Sequence, residues 1–330
     1  IRFHTSMRDM VEQIVQYPNI GDMRAVRPMI RAGEMSVRAM EASANDVPPE
    51  WPRTFWDECF RRTQCDPALW AEDPPAGPNK KALALEWRNI RIATIEHWDS
   101  TTTTTSTDPK RDTVFGIALY ALSCLLEMNA GVSAAGITGR LLLRTLAECR
   151  ITLAYLVNCA DDETWKKFRA YGTGQAKLAF MKLDEMPADE PGFVNMDFLH
   201  GLVNEDYFQE FLPVDLGHWC GKDLRRMADE SGTKDDYDKY YAWTSAFVHG
   251  HWGALRNTSF TQCLNPLHRF HRIPILTHRF MENCVGDGVN LVNAILRDLG
   301  KAFPGFTAQF KASGITHEEP AQDDTPPPVT

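Results

Sequence analysis

Polar side chains at helical spacing mark the segment 237–256, which reads YDKYYAWTSAFVHGHWGALR. If the segment is one helix at about 100° per residue, five chemistry-bearing residues share a narrow arc: Tyr241, Ser245, His249, Trp252 and Arg256. The imidazole among them has an ordinary pKa suited to proton transfer near neutral pH. The pattern therefore predicts a polar site on this helix, with His249 as a general acid or base.

The same segment contains an alternative that changes the arc. Gly250 can end the helix as a C-cap, with His249 in the last turn. In that case Trp252 and Arg256 lose their place in the arc, whereas Tyr241, Ser245 and His249 keep theirs.

Small residues form a second arc on this predicted helix. They are Ala242, Ala246, Gly250 and Gly253. Because they lack bulk, a second helix can approach closer than the usual interaxial distance of about 8–10 Å. The arc predicts a tight packing seam, and we expect a two-fold homodimer to use it.

A second polar row lies within 132–158, an otherwise apolar predicted helix. Arg140, Arg144 and Glu148 follow one another at four-residue steps. Charges on a helix that is buried all round are costly, and a buried ion pair rarely gains stability over a hydrophobic pair. Two interpretations stay open: an Arg144–Glu148 pair that locks two helices together, or a site that opens to a cleft.

The two polar rows are expected to meet, because each then satisfies the hydrogen bonds of the other. We predict that helix 132–158 packs beside helix 234–256, with Arg144 and Glu148 within reach of Tyr241, Ser245 or His249. In the catalytic interpretation Arg144 holds a phosphate and His249 transfers the proton. Glu148 and Ser245 orient the imidazole of His249. Substrate contacts would come from Arg140, Tyr241 and Arg256.

Histidines are concentrated in the stretch that follows. They are His249, His251, His268, His271 and His278. His268-x2-His271 has a spacing seen in metal sites, but no carboxylate or further histidine stands at helical spacing with it, and no C-x2-C pair occurs. We therefore expect neither a metal nor a cofactor. A metal-dependent enzyme stays the third functional alternative.

Apolar periodicity predicts an all-α helical bundle. The expected helices cover 80–98, 113–130, 132–158, 161–186, 234–256 and 274–299, and no alternating strand pattern is seen. We divide the chain into an N-terminal helical region (1–99), a flexible Thr-rich loop (100–112), a helical core (113–312) and a disordered tail (313–330).

Composition narrows the functional classes. A net charge of −9 argues against non-specific coating of nucleic acid, and no run approaches the roughly 18 apolar residues of a membrane span. The eight cysteines show no disulfide pattern, which favours a reducing compartment, so we expect a cytoplasmic protein. Phosphate-loop, dinucleotide and nucleophile-elbow motifs are absent.

Four motifs in sequence order resemble those of a group of uncharacterised bacterial all-helical proteins related to the HEPN superfamily. The motifs are RLLLRTLAE, WKKFRAY, HWCGKDLRRMA and Y-x3-S-x3-H-G. The resemblance implies a dimerising helical bundle from a bacterial toxin or phage-defence system, with metal-independent RNA cleavage. Active HEPN ribonucleases carry an Arg-x4–6-His motif; here Tyr241 and Ser245 stand before His249 instead. The alternative is a non-catalytic module that binds a nucleotide, RNA or a partner protein.

Overall fold

The computed structural model describes residues 51–69, 73–184, 219–268, 271–277 and 279–311, with isolated positions between 31 and 38 and at 195 and 201. The predicted disordered tail and most of the predicted N-terminal helices lie outside these residues. In chain order the elements are α1 (Trp51–Arg62), α2 (Lys80–Thr101), α3 (Pro109–Asn129), a 3-10 turn (Ser133–Ala135), α4 (Ile137–Cys159), α5 (Asp162–Asp184), α6 (Leu224–Ser231), α7 (Lys234–Asp236), a π-helical turn (Tyr237–Tyr241), α8 (Ala242–Val248), α9 (Trp252–Ser259), β1 (Phe260–Gln262), β2 (Arg272–Pro274) and α10 (Val285–Ala302).

The chain forms two compact units. The smaller unit comprises 1–72 and 252–279, and the larger comprises 73–251 and 280–330. Within the described residues the structure is mostly helical, which confirms the expected all-α character at that level. No helix in the described part of the chain combines the length and the apolar character that crossing a membrane would require.

The larger unit is built on α3, α4 and α10, which pack against one another. Their facing sides contribute fully buried aliphatic side chains: Val114, Leu122, Leu146, Ile151, Val292 and Ile295. The side chain of Trp87 on α2 donates a hydrogen bond to the carbonyl of Leu122 at 2.6 Å, which ties α2 to α3. This apolar core fixes α4, the helix that carries the predicted Arg/Glu row.

Helix boundaries in this unit follow local capping chemistry. Asn79 accepts from the N–H of Ala82 and begins α2, and Asp108 does the same for Arg111 at the start of α3, where Pro109 occupies the first turn. The helices predicted at 80–98, 113–130, 132–158 and 161–186 are therefore confirmed, with ends displaced by a few residues.

Two predicted helices are wrong in extent. The segment 234–256 is not one helix, because α8 ends at Val248 and Gly250 adopts a left-handed conformation with φ of 61°. The N–H of His251 then bonds to the carbonyl of Ala246 at 2.9 Å, which closes the helix end as a Schellman motif. Helix α10 begins at Val285 and not at 274, because the residues before it pair as β2 with β1.

The smaller unit contains the two strands that periodicity did not reveal. Strands β1 and β2 pair antiparallel, with Thr261 opposite Ile273. The chain after α1 runs alongside β1, since the N–H of Ala68 bonds to the carbonyl of Gln262 and the N–H of Leu264 bonds to that of Asp66. Three-residue strands are too short to display an alternating pattern.

Candidate functional site

The two predicted polar rows do lie on neighbouring helices. Helix α4 packs against the π-helical turn and α8. Arg150 on α4 contacts Asp236 at 3.4 Å, and Arg144, nearly two turns earlier, contacts Tyr241 at 2.7 Å. Rising residue numbers on α4 thus correspond to falling numbers on the partner segment, so the two run antiparallel.

Arg144 is the centre of a three-residue network. One of its terminal nitrogens, Nη2, donates to the hydroxyl of Tyr241 at 2.7 Å and forms an ion pair with Glu148 at 3.0 Å. The guanidinium also lies over the Tyr241 ring, with Cζ 4.4 Å from the ring centroid. The predicted pairing of the two rows is confirmed at Arg144 and Tyr241.

The network occupies the donors that a phosphate would need. Both ways in which a guanidinium binds an anion through two parallel hydrogen bonds use Nη2, and this nitrogen already donates to Tyr241 and pairs with Glu148. The side chain of Arg144 is only 12% exposed, whereas that of Glu148 is 44% exposed. The Nε of Arg144 is buried without a hydrogen-bond partner in the described structure. A phosphate could be held by two bonds only after displacing Tyr241 or Glu148.

On α4 the side chain of Arg144 is largely shielded from water, and Cys149, which lies near Cys124 of α3, is in an apolar environment. Burial, followed by the neighbouring Cys124 and Glu148, raises the pKa of the Cys149 thiol to about 12. A low-polarity neighbourhood strengthens the attraction between Arg144 and its two partners. The arrangement is that of a lock between two helices.

Ser245 and His249 lie farther along the partner segment. His249 follows Tyr241 by eight residues, which is about 12 Å along a helix axis. Glu148 lies about 6 Å from Arg144 in the opposite direction, because the helices are antiparallel. Within one chain Glu148 therefore cannot orient His249. The roles assigned to Ser245 and His249 stay predictions.

His249 is exposed at the end of α8 and stacks on His251, with ring centroids 5.5 Å apart. Ser245 is half-buried, and its side chain makes no hydrogen bond within the described part of the chain. Neither residue belongs to the Arg144 network.

Neither Arg140 nor Arg256 contributes a contact to that network among those the structure describes. Arg140 is buried and donates to the carbonyl of Ala134 at 2.8 Å, with Glu282 at 3.6 Å. It therefore fixes the 3-10 turn before α4. Arg256 lies exposed on α9, in the smaller unit, because the helix that was expected to carry it stops at Val248.

Beside the network lies an exposed apolar surface, which we call the α4/α8 seam: Ile137, Leu141 and Val248. Their exposed fractions are 40%, 37% and 45%. Arg144 lies opposite Tyr241 in the antiparallel pairing. By the same register, residues 137–141 lie opposite residues 244–248. Ala242 of the small-residue arc is also exposed and Ala246 is half-buried. The predicted small-residue arc is not continuous, because α8 ends at Val248 and Gly253 lies in the smaller unit.

The histidine-rich stretch contains the main feature that sequence reasoning missed. His268 and His271 meet Cys65 and Cys263 in one cluster within the smaller unit. The spacing Cys263-x4-His268-x2-His271 could have indicated three of the four, but Cys65 is distant in sequence. His278 lies outside the described residues.

A family model matches part of the chain. The model of a family of unknown function, DUF5677, matches residues 118–264, from within α3 to just beyond β1. That stretch includes the Arg144 network and the whole α4/α8 seam. No curated protein and no solved structure matches the chain. The match supports a relation to an uncharacterised family, as the sequence motifs predicted.

Proposed function

We propose that the chain is a non-catalytic, HEPN-like helical module of a bacterial toxin or phage-defence system that works by binding a protein, first of all a second copy of itself. The observation that carries this proposal is the α4/α8 seam. Ile137, Leu141 and Val248 are about two-fifths exposed beside a network in which Arg144 is already paired with Tyr241 and Glu148 within the chain.

The contacts that Arg144 already makes with Tyr241 and Glu148 favour a binding role over a catalytic one. A nuclease needs a free donor for phosphate charge and a base within hydrogen-bond reach of the reacting hydroxyl. Arg144 is held by Tyr241 and Glu148, and His249 is two helical turns away. A lock of this kind holds α4 and α8 in the fixed relation that a binding surface requires.

A protein partner suits the seam better than a nucleic acid. The exposed side chains of the seam are aliphatic, and the chain carries a net charge of −9. Nucleic-acid surfaces are dominated by Lys and Arg contacts to phosphate. The small residues Ala242 and Ala246 allow the same helix of a second copy to approach closely across a two-fold axis.

Sedimentation velocity at micromolar concentration tests the proposal. We expect the wild type to sediment as a dimer, and Leu141→Glu and Val248→Glu to sediment as monomers with unchanged helical circular dichroism, because each buries a carboxylate in the interface. Leu85→Glu is the matched control: Leu85 is 61% exposed on α2, outside the seam, so this variant stays dimeric. A monomeric wild type would refute the self-association.

A ribonuclease whose site forms between two copies is the second candidate. His249 is exposed at the end of the helix that carries Ala242 and Ala246, so association through this helix would bring two imidazoles near one another. Incubation of the wild type and His249→Ala with labelled RNA, with and without EDTA, distinguishes the cases. Cleavage that persists in EDTA and is lost in the variant would establish this candidate. RNA binding without cleavage would replace the protein partner with RNA.

A further inference from the structure

Four potential metal ligands converge in the smaller unit. Cys65 follows α1, Cys263 follows β1, and His268 and His271 lie in the loop that leads to β2. The ligand atoms of all four lie within 4.8 Å of one another. Strand pairing places them there, because Pro67 forms a bridge with Cys263 and the N–H of Cys263 bonds to the carbonyl of His271.

Four of the six distances among these atoms are close to the edges of a tetrahedron around one ion. The Sγ of Cys65 lies 3.2 Å from Nε2 of His271 and 3.7 Å from Nδ1 of His268. The Sγ of Cys263 lies 3.3 Å from Nδ1 of His268, and the two ring nitrogens are 3.3 Å apart. Zinc–sulfur bonds of about 2.3 Å and zinc–nitrogen bonds of about 2.0–2.1 Å predict edges of about 3.3–3.8 Å in a tetrahedral site.

The hydrogen bonds of His268 leave its Nδ1 unprotonated, as binding to a metal ion requires. The Thr63 hydroxyl donates its single proton to the carbonyl of Cys59 at 2.7 Å, so it can only accept from His268 Nε2 at 2.9 Å. The proton of the neutral ring therefore sits on Nε2, and the lone pair of Nδ1 faces the two sulfurs. A ligating histidine that donates its other N–H to an oxygen is the usual arrangement in metal sites.

The described part of the smaller unit buries few apolar side chains. Among its described residues, the buried side chains are those of Ala254, Thr261, Cys263 and His268. Two of these four belong to the cluster. Small units with so little buried apolar surface usually need a metal, disulfides or association.

We propose that Cys65, Cys263, His268 and His271 bind one Zn²⁺ that holds α1 to the β1–β2 hairpin. Both thiols lose their protons on binding, so two thiolates and two neutral imidazoles around the ion form a site with no net charge. Soft sulfur with imidazole in a tetrahedral arrangement selects zinc over magnesium or calcium. Four protein ligands leave no open position, which makes the site structural and not catalytic.

Metal analysis of the full chain, purified without chelators, tests the site. We expect about one zinc per chain in the wild type by plasma mass spectrometry. Cys263→Ser and His271→Ala should each lower the zinc content at least several-fold. Cys59→Ser is the matched control, because Cys59 lies in the same unit and its side chain is not among the four ligands; this variant keeps its zinc.

Co²⁺ gives a second readout that does not depend on the stability of the variants. Added to wild-type protein from which the metal has been removed, Co²⁺ should give the intense visible bands of a tetrahedral site and the near-ultraviolet bands of thiolate coordination. A wild type that contains no zinc and gives no such bands with Co²⁺ would overturn the proposal. A disulfide between Cys65 and Cys263 in the purified protein would also overturn it.

Discussion

Arg144 shows how a charged residue on an apolar helix finds partners within its own chain. Its guanidinium contacts the hydroxyl and the ring face of Tyr241. It also pairs with the carboxylate of Glu148, which is partly exposed. Breaking such a contact costs stability because the buried charge loses a partner, even though the intact pair gains little over apolar packing. The residue therefore acts as a lock between α4 and the segment that leads into α8.

Tyr241→Phe tests this lock. The substitution keeps the ring under Arg144 and removes the hydroxyl that accepts its hydrogen bond, so we expect a loss of about 1–2 kcal/mol in the free energy of unfolding by urea. Tyr237→Phe is the control, because the Tyr237 ring stacks on Tyr241 at 4.9 Å but its hydroxyl has no hydrogen-bond partner in the described structure. The control should change stability by less than about 0.5 kcal/mol. Equal effects in both variants would refute the lock.

At the scale of elements, the end of α8 decides which residues can act together. The left-handed conformation of Gly250 stops the helix and sends the chain into a separate unit. As a result Trp252 and Arg256 leave the arc that they would occupy in a continuous helix. A single backbone conformation thus divides one apparent site into parts.

A pair of glycine substitutions measures this effect. Gly250→Ala forces a residue with a Cβ into φ of 61°, so we expect it to lower the melting temperature, by an amount equivalent to about 1 kcal/mol. Gly253→Ala is the control, since Gly253 lies within α9 and its added Cβ meets nothing within 4 Å. That variant should be neutral or more stable by up to about 1 kcal/mol. Destabilisation by Gly253→Ala alone would show that α9, and not Gly250, is the sensitive element.

At the scale of the whole molecule, the two units differ in what stabilises them. The larger has a continuous apolar core from α2 to α10, whereas none of the described residues of the smaller unit belongs to that core. Local opening requires less free energy where few apolar side chains are buried.

Hydrogen exchange followed by mass spectrometry tests this difference. We expect the slowest amide exchange in α3, α4 and α10, whose facing side chains are fully buried, and faster exchange in α1 and α9. Protection in β1 and β2 should fall further when zinc is removed, while protection in α4 should stay unchanged. Exchange in α9 as slow as in α4 would contradict the difference in core stability.

The sequence by itself determined most of the helical architecture. Long apolar periodicity indicates α2 to α5 within a few residues, because this signal is local. The requirement that buried charges find partners also predicted the contact between Arg144 and Tyr241 across 97 residues of sequence.

Only the tertiary structure decided which residues form a site. The direction of packing between α4 and α8 separates Glu148 from His249, and no local pattern encodes whether two neighbouring helices run parallel or antiparallel. Cys65 meets His268 at a sequence separation of 203, because short strand pairing brings α1 beside the hairpin. Pairing of three-residue strands is fixed by contacts distant in sequence, which periodicity within one segment does not record.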